Sequence, residues 1–336
     1  MKPIVSIILP CYNGERYVAE AIESVLAQTE AAWELLVIDD GSRDNSREII
    51  SRYAEKDSRI RLLSHPNGEN RGVSRSRKLG ITCSKAEFIA HLDADDGFLP
   101  TKLERQIEVM RQFPDCMLCH SSVFVMDDES TVTAPPEGFF AQAHGKQELY
   151  QYSKQDVFLC SNQICNATVF YRRNVITGLD FDIPQLFQFE DWLQWVLLSE
   201  RGQFYFLSEA LSRYRLHDES ATARVVSNRL VQIYSEAEFL FSLLSRATQK
   251  EILDIAAERL VMVMSSLVDA YAGNGSADGK RIISLTLFPV IKRQYVQTIK
   301  RVLFSNRLCR RIKVFFWLAI RLKIVILARY TDDLSL

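Results

Sequence analysis

Short apolar runs alternate with amphipathic stretches along the first 112 residues. Between residues 15 and 28, Val18, Ile22, Val25 and Leu26 recur at helical spacing and form one apolar face. The apolar runs are bounded by charged or turn-forming residues, as strands are. The pattern predicts strands at 4–10, 33–40, 59–63 and 87–92, and helices at 15–28, 45–56, 72–84 and 102–112.

The predicted strands lack the strict alternation of apolar and polar positions that a half-exposed sheet shows. This is typical of a largely parallel sheet covered by helices on both faces, so the predicted fold class is α/β. Ligands bind such sheets beyond the carboxyl ends of the strands. We expect three polar clusters to converge there in one cleft: residues 11–15, 39–42 and 93–96.

The pattern changes from Cys116 onward. Residues 117–126 and 163–172 resemble strands of an antiparallel extension, and residues 188–202 form an amphipathic helix. Beyond residue 220 the chain has a helical pattern almost to its end. We therefore predict two parts: a nucleotide-binding domain at 1–220 and a helical C-terminal region at 221–336.

Charge and cysteine content narrow the function classes. The 41 basic and 42 acidic residues give a formal charge of −1, which argues against a nucleic-acid surface that covers the whole protein. Seven cysteines, an odd number, are typical of reduced thiols rather than of a disulfide framework. No secretory signal follows Met1. We expect a cytoplasmic protein without a nucleic-acid partner.

Three carboxylates follow the strand predicted at 87–92: Asp93, Asp95 and Asp96. Carboxylates this close repel one another unless a cation or several basic side chains neutralise them. A hard divalent metal ion is one such partner. The sequence thus predicts a metal site at the carboxyl end of this strand, with a solvated turn as the alternative.

Five segments follow one another in the order VSIILPCYNGERYVAEAIESVLAQT, WELLVIDDGSRDNS, NRGVSRSRKLG, FIAHLDADDGFLPTKLERQ and FEDWLQW. Together they resemble the successive motifs of the family 2 glycosyltransferases, inverting enzymes with a GT-A fold. The resemblance covers roughly residues 4–220. It implies a GT-A type nucleotide-binding sandwich that moves a sugar from a nucleotide diphosphate donor to a hydroxyl of a glycan or lipid-linked acceptor. Polysaccharide or cell-envelope biosynthesis is the implied setting.

In this resemblance the aspartate cluster is the family's DxD motif, which implies Mg²⁺ or Mn²⁺ as cofactor. Asp95 would be a direct ligand and Asp93 would lie near the ion and the donor. Asp96 would hold the loop by hydrogen bonds. His217 resembles a histidine that lies near the metal or diphosphate in many GT-A enzymes; a surface or packing role is its alternative.

Asp40 aligns with the family's uracil-reading aspartate, which favours a UDP-sugar, and Tyr12 would pack on the base. A turn at residues 39–42 and an aromatic plug in the core are the alternatives. The further donor-binding residues that the resemblance implies are Pro10, Glu15 and Arg77. For Arg77, an ordinary solvated helix charge is the alternative.

Asp191, directly after Glu190, falls where the family places its catalytic base. It would take the proton of the acceptor hydroxyl while that hydroxyl attacks the anomeric carbon from the face opposite the diphosphate, which inverts the configuration. Carboxylates in a first helical turn also suit the positive end of the helix dipole. Helix capping is therefore the alternative for this pair.

The last predicted helix, residues 309–330, mixes basic residues with aromatic and aliphatic ones. Its apolar runs are far shorter than the roughly 20 residues that a bilayer crossing needs. Such a helix can lie in the headgroup plane of an anionic membrane. Binding at the inner face of the cell membrane would suit a lipid-linked acceptor, and a core helix whose basic ends reach water is the alternative.

Single features of the sequence suggest other classes of function. Residues 116–120 fit the haem-attachment pattern CxxCH, but they lie in an apolar run. A nucleotidyltransferase or dehydrogenase is disfavoured because no glycine-rich phosphate loop follows the first strand. A non-catalytic nucleotide-sugar-binding or scaffold protein on the same fold is the remaining rival. The presence of both Asp95 and Asp191 favours the enzyme.

Overall fold

The computed structural model describes residues 2–135, 149–150, 162–176, 179, 189–218, 220, 229–256, 259–260 and 263. The chain divides into two compact units, Met1–Arg229 and Leu230–Leu336. The division at residue 220 stays a prediction, and the helix predicted at 309–330 lies outside the described residues. No helix in the described ranges has both the length and the apolar composition that a membrane crossing demands.

The described strands are β1 (Val5–Cys11), β2 (Trp33–Asp39), β3 (Ile60–Ser64), β4 (Phe88–His91), β5 (Gly97–Phe98), β6 (Cys116–Met126), β7 (Val132–Thr133), β8 (Leu149–Tyr150), β9 (Phe170–Arg172) and β10 (Gln203–Arg215). The described α-helices are α1 (Val18–Leu26), α2 (Ser46–Lys56), α3 (Val73–Cys83), α4 (Lys102–Gln112), α5 (Glu190–Ser199) and α6 (Arg229–Arg246).

The strands form one sheet in the order β3-β2-β1-β4-β9-β6-β10-β5, with β7 beside β6 and β8 beside β10. Strands β3, β2, β1 and β4 are mutually parallel, and so are β6 and β10. Strand β9 is antiparallel to both of its neighbours. The predicted α/β class and the antiparallel extension are confirmed.

Burial explains why the central strands read as unbroken apolar runs. Every residue of β1 and β2 is buried, because α1 packs on one face of β1 and α3 packs on the other. On α1, Val18, Ile22 and Val25 are fully buried as predicted, whereas Leu26 is exposed. Each buried side chain of this size contributes about 1.5–3 kcal/mol. The buried face of α1 therefore does not include Leu26, which the sequence spacing placed on it.

Two local predictions differ from the structure. The strand predicted at 163–172 is wrong in its first part, since Asn166–Thr168 form a 3₁₀ turn and only Phe170–Arg172 form β9. Strand β10 is not anticipated by the pattern. It pairs with β6, which is about 80 residues earlier in the chain. Strand formation depends on such neighbouring strands more than on the local preference of the residues.

Candidate active site

The polar clusters that follow β1, β2 and β4 lie at one edge of the sheet. Strands β1 and β2 pair in register to their last residues. The backbone N–H of Asn13 donates to Ser42 Oγ at 3.0 Å, and a Cβ added to Gly14 would lie 3.4 Å from the Cβ of Ala94. The loops therefore touch, and the expected convergence of the three clusters is confirmed.

Asp93, the first carboxylate of the aspartate loop (residues 93–96), is held by two side chains. Arg77 Nη2 on α3 donates to Oδ1 at 2.7 Å, and Asn166 Nδ2 donates to Oδ2 at 2.8 Å. Burial alone would raise the pKa of Asp93, but the charge and hydrogen bond of Arg77 hold it below its usual range. Asp93 is therefore ionised, and each of its oxygens has a protein donor.

A hydrogen-bonded chain continues from Asp93 into the sheet. Asn166 Oδ1 lies 2.9 Å from His91 Nδ1, and His91 Nε2 lies 2.9 Å from the Tyr171 hydroxyl oxygen. Since the amide NH₂ of Asn166 serves Asp93, its carbonyl accepts from His91, whose other nitrogen then accepts from Tyr171. Burial, reinforced by the charge of Arg77, lowers the pKa of His91 to about 3, so this ring is neutral.

Arg77 joins Asp93 to the acidic pair at the start of α5. Its Nη1 donates to Glu190 Oε1, and only 6% of its side chain is exposed. Burial raises the pKa of Glu190 to about 7, although the charge of Arg77 opposes this shift. Burial likewise raises the pKa of Asp191. The guanidinium is thus enclosed between one carboxylate of the aspartate loop and one of helix α5, so Arg77 is not an ordinary solvated helix charge.

A left-handed residue precedes the acidic pair. Phe189, at the N-terminal cap of α5, has a φ of 78°, a conformation that is rare outside glycine and recurs at functional sites. Its ring packs edge-on against Trp192 at 5.4 Å between centroids. Asn162 Nδ2 donates to Asp191 Oδ2 at 3.0 Å, and the backbone N–H of Trp192 donates to Oδ1 at 2.6 Å. These contacts orient the Asp191 carboxylate.

Asp95 faces a histidine that lies just beyond β10. His217 Nε2 is 3.0 Å from Asp95 Oδ2, with 33% of the Asp95 side chain and 8% of the His217 side chain exposed. The ring of Tyr17 packs on His217, with 5.1 Å between ring centroids. The structure therefore brings two of the predicted metal-site residues together, while Asp93 on the same loop pairs with Arg77.

The Asp95–His217 pair fits a divalent cation. A carboxylate oxygen and an imidazole nitrogen both suit Mn²⁺, and Mg²⁺ commonly keeps several waters and substrate phosphates besides one or two carboxylates. In the described part of the chain, no three His, Cys, Asp or Glu side chains are grouped to hold an ion. A cation here would thus take few protein ligands and complete its shell with water and phosphate oxygens.

Asp96 is buried, with 2% of its surface exposed. Burial, reinforced by the charges of Asp95 and Asp93, raises its pKa well above the usual range. Its Oδ1 accepts from the backbone N–H of Arg215 at 2.9 Å, and Arg215 Nε donates to the backbone carbonyl of Asp95 at 2.9 Å. Asp96 therefore helps to hold the aspartate loop against β10.

Tyr12 and Asp40 lie side by side at the ends of β1 and β2. The Asp40 N–H donates to the Cys11 carbonyl at 2.8 Å. Tyr12 is 48% exposed, so its ring is not a plug in the core, whereas Asp40 is 3% exposed. The Asp40 oxygens accept from the backbone N–H groups of Arg71 and Gly72, each at 2.8 Å. Asp40 thus fixes the chain that leads into α3.

Pro10 and Glu15 contribute differently to this end of the sheet. Pro10 is a buried residue of β1 opposite Ile38. Glu15 Oε2 accepts from the backbone N–H and the side-chain amide of Asn45, at 2.9 and 2.8 Å. Glu15 therefore fastens the loop after β2 to the loop after β1.

Three residues that shape the site were not expected from the sequence: Asn162, Asn166 and Arg215. For Asn166 and Arg215, the sequence does contain a signal: each is a polar residue within or beside a buried strand. A buried polar side chain needs hydrogen-bond partners. In both cases the partner is the aspartate loop.

Residues 6–175 match the family described as Glycosyl transferase family 2. TuaG of Bacillus subtilis (strain 168), a glycosyltransferase named for teichuronic acid biosynthesis, is 30% identical over 223 residues, which span 66% of this chain and 82% of TuaG.

Two solved structures share the fold. S. aureus TarS 1-349 in complex with UDP-GlcNAc is 16% identical, with a TM-score of 0.58 over 94% of this chain and 84% of that one. The mannosyltransferase PcManGT from Pyrobaculum calidifontis, in complex with GDP-Man and Mn²⁺, is 12% identical, with a TM-score of 0.53 over 95% and 86%. At these identities the likeness concerns the fold alone, and the expected GT-A type architecture is confirmed.

Proposed function

The chain belongs to glycosyl transferase family 2 and is a glycosyltransferase, and from this premise we propose that it transfers a sugar with inversion from a nucleotide diphosphate donor to a hydroxyl of a glycan or lipid-linked acceptor. A UDP-sugar is the favoured donor, and polysaccharide or cell-envelope biosynthesis the setting. The observation that carries the proposal is Arg77, which links Asp93 on the aspartate loop to Glu190, the neighbour of Asp191.

We assign donor recognition to Tyr12 and Asp40. The exposed ring can stack on a base, and a carboxylate can accept the imide N–H of uracil. Asp40 Oδ2 accepts the backbone N–H of Gly72 and retains a second lone pair for this contact. Oδ1 accepts the Arg71 N–H and also lies 3.4 Å from His65 Nε2. Glu15 and Pro10 support the pocket by holding the two loops and the strand beneath it. The TarS complex contains UDP-GlcNAc, a donor of the class proposed.

We assign cation binding to Asp95 and His217. Asp93 lies near them, two residues before Asp95 on the aspartate loop. Mg²⁺ or Mn²⁺, when bound, neutralises negative charge that develops on the departing diphosphate. The 3.0 Å approach of the two side chains supports this assignment, as does the Mn²⁺ in the PcManGT complex. Asp93 stays ionised because Arg77 holds its pKa low.

We assign the base to Asp191. As the acceptor oxygen bonds to the anomeric carbon, the hydroxyl proton passes to a carboxylate oxygen of Asp191, and the diphosphate leaves on the opposite face. Burial raises the pKa of this carboxyl, which makes its carboxylate a stronger base toward the acceptor proton. Asn162 and the N–H of Trp192 hold the carboxylate in one orientation.

Asp191→Asn tests the assignment. It should lower turnover by about 10²–10⁴-fold and leave the dissociation constant of UDP unchanged, because the base acts in the transition state. UDP release is measured with Mn²⁺ and a panel of UDP-sugars and acceptors, and the anomeric configuration of the product by NMR. Asp57→Asn, in a surface turn where Asp57 pairs with Arg59, is the control. Near-normal turnover of Asp191→Asn contradicts the assignment, and a retained configuration contradicts inversion.

We further propose that residues 309–330 bind an anionic surface at the inner face of the cell membrane, which supports use of a lipid-linked acceptor. This segment carries Arg310, Arg311 and Lys313 beside aromatic residues. Replacing these three cations by glutamine in the full-length chain should reduce flotation with anionic liposomes, since each contributes about 1 kcal/mol near such a surface. Equal flotation of both proteins would exclude the segment as an electrostatic anchor.

A further inference from the structure

Arg215 is a fully enclosed cation on β10, two residues before His217. Only 1% of the residue is exposed. Its guanidinium donates to five groups: the Asp95 carbonyl at 2.9 Å, the Asp127 carbonyl at 2.7 Å, Ser130 Oγ at 3.0 Å, the Asp128 carbonyl at 3.5 Å and Glu20 Oε2. These acceptors lie on three segments: the aspartate loop, the turn at residues 127–130 and helix α1. A buried arginine keeps its charge, so each contact is retained only while the three segments stay in place.

The three segments lie around the Asp95–His217 pair. Asp95 is on the aspartate loop, and Tyr17, which packs on His217, precedes helix α1 and donates to the turn. The aspartate loop is fixed twice by Arg215, at the Asp95 carbonyl and, through the backbone N–H, at the Asp96 carboxyl. Helix α1 is fixed through Glu20, whose carboxylate also lies 3.5 Å from Arg213. One side chain thus sets the distance between the aspartate loop and the helix that packs beside it.

The contacts of Tyr17 extend this arrangement to His217. The guanidinium carbon of Arg215 lies 4.5 Å from the centre of the Tyr17 ring. The imidazole of His217 packs against the same ring, with 5.1 Å between centroids. The Tyr17 hydroxyl donates to Asp128 Oδ1 at 2.6 Å, in the same turn that Arg215 holds. Both members of the proposed cation site are therefore packed against groups that Arg215 orders.

We infer that Arg215 is a positioning residue for the Asp95–His217 pair: it acts through the aspartate loop and the Tyr17 ring to preset the spacing of these two side chains for a divalent cation. The inference rests on the proposed function, because it assigns a use to the proposed cation site. Groups that orient metal ligands commonly contribute 10–100-fold to affinity.

The test measures Mn²⁺ binding itself, by electron paramagnetic resonance of free Mn²⁺ in the presence of UDP, using the full-length chain. Arg215→Lys keeps the charge but loses the planar fork that reaches several acceptors at once. We expect its dissociation constant for Mn²⁺ to rise at least about tenfold. Turnover at saturating Mn²⁺ should recover to within about threefold of the unaltered protein, because no group that touches the substrate has changed.

Glu20→Gln supplies a milder change, since Glu20 is 30% exposed and the exchange is nearly isosteric. We expect a smaller rise, about three- to tenfold, in the Mn²⁺ dissociation constant. Arg213→Met is the matched control, because Arg213 shares strand β10 and the partner Glu20, and it should bind Mn²⁺ normally.

The outcomes separate the inference from the proposed function. Normal Mn²⁺ affinity in a folded Arg215→Lys protein overturns the positioning role, and normal affinity in Glu20→Gln does so if Arg215→Lys does not fold. Asp95→Asn is measured alongside: if it leaves Mn²⁺ affinity unchanged, the proposed cation site is itself wrong. Both the positioning role and the proposed cation site are supported if Mn²⁺ affinity falls in Asp95→Asn, Arg215→Lys and Glu20→Gln but not in Arg213→Met.

Discussion

Replacing Arg77 by methionine should destabilise the protein far more than removing a surface charge. The Arg77 and Glu190 side chains are 6% and 9% exposed, and Arg77 also pairs with Asp93. Methionine fills similar space but leaves a buried carboxylate without its cation. Removing one partner of a buried pair costs about 3–5 kcal/mol. Arg52→Met is the control, because the Arg52–Glu48 pair is exposed and contributes less than about 1 kcal/mol.

The loss of stability in Arg77→Met should depend on pH in a defined direction. Folding raises the pKa of Glu190 from 4.5 to about 7, so the native state binds more protons than the unfolded chain between these values. Stability from this group therefore falls as pH rises through that window. Because Arg77 opposes the shift, Arg77→Met should raise the Glu190 pKa further. The difference between variant and parent should then be smaller at pH 5.5 than at pH 8.

Urea denaturation followed by tryptophan fluorescence measures these differences, since Trp192 and Trp195 lie in the helix that Glu190 begins. Adding Glu190→Gln to Arg77→Met should restore part of the lost stability, because the amide carries no charge to leave unpaired. Equal losses for Arg77→Met and Arg52→Met, or a double variant whose losses simply add, would refute the reasoning.

Two further predictions concern the core. Burial lowers the pKa of Lys102 from 10.5 to about 7, so the unfolded chain binds the extra proton and the free energy of unfolding should rise with pH. Between pH 7.0 and 8.5 this group should contribute an increase of about 1–2 kcal/mol. Lys102→Met should lack this increase when urea denaturation is measured at each pH. Gly80→Ala should lose about 1–3 kcal/mol, because its Cβ would lie 2.6 Å from Ile8 Cγ2. Lys78→Ala, on the exposed side of α3, is the control, and an equal effect of both substitutions would contradict the close contact.

Local pattern predicted the elements of the first half of the chain because each is specified by neighbouring residues. The helices predicted at 45–56 and 102–112 correspond to Ser46–Lys56 and Lys102–Gln112. The pattern failed where distant contacts decide. Strand β10 carries Arg213 and Arg215 within its run, and the structure pairs both with Glu20 on α1. Charged residues in a strand weaken a pattern-based prediction unless their partners are known.

The sequence by itself determined the parallel sheet, the convergence of the polar loops and the family, because strand spacing and motif order are properties of neighbouring residues. Only the tertiary structure decided the partner of each carboxylate: Arg77 and Asn166 for Asp93, His217 for Asp95, and the Arg215 backbone for Asp96. Most of these partners come from distant segments that the sheet brings together. A carboxylate's chemistry depends on the donors within about 3 Å of its oxygens, and spacing along the chain does not specify those donors.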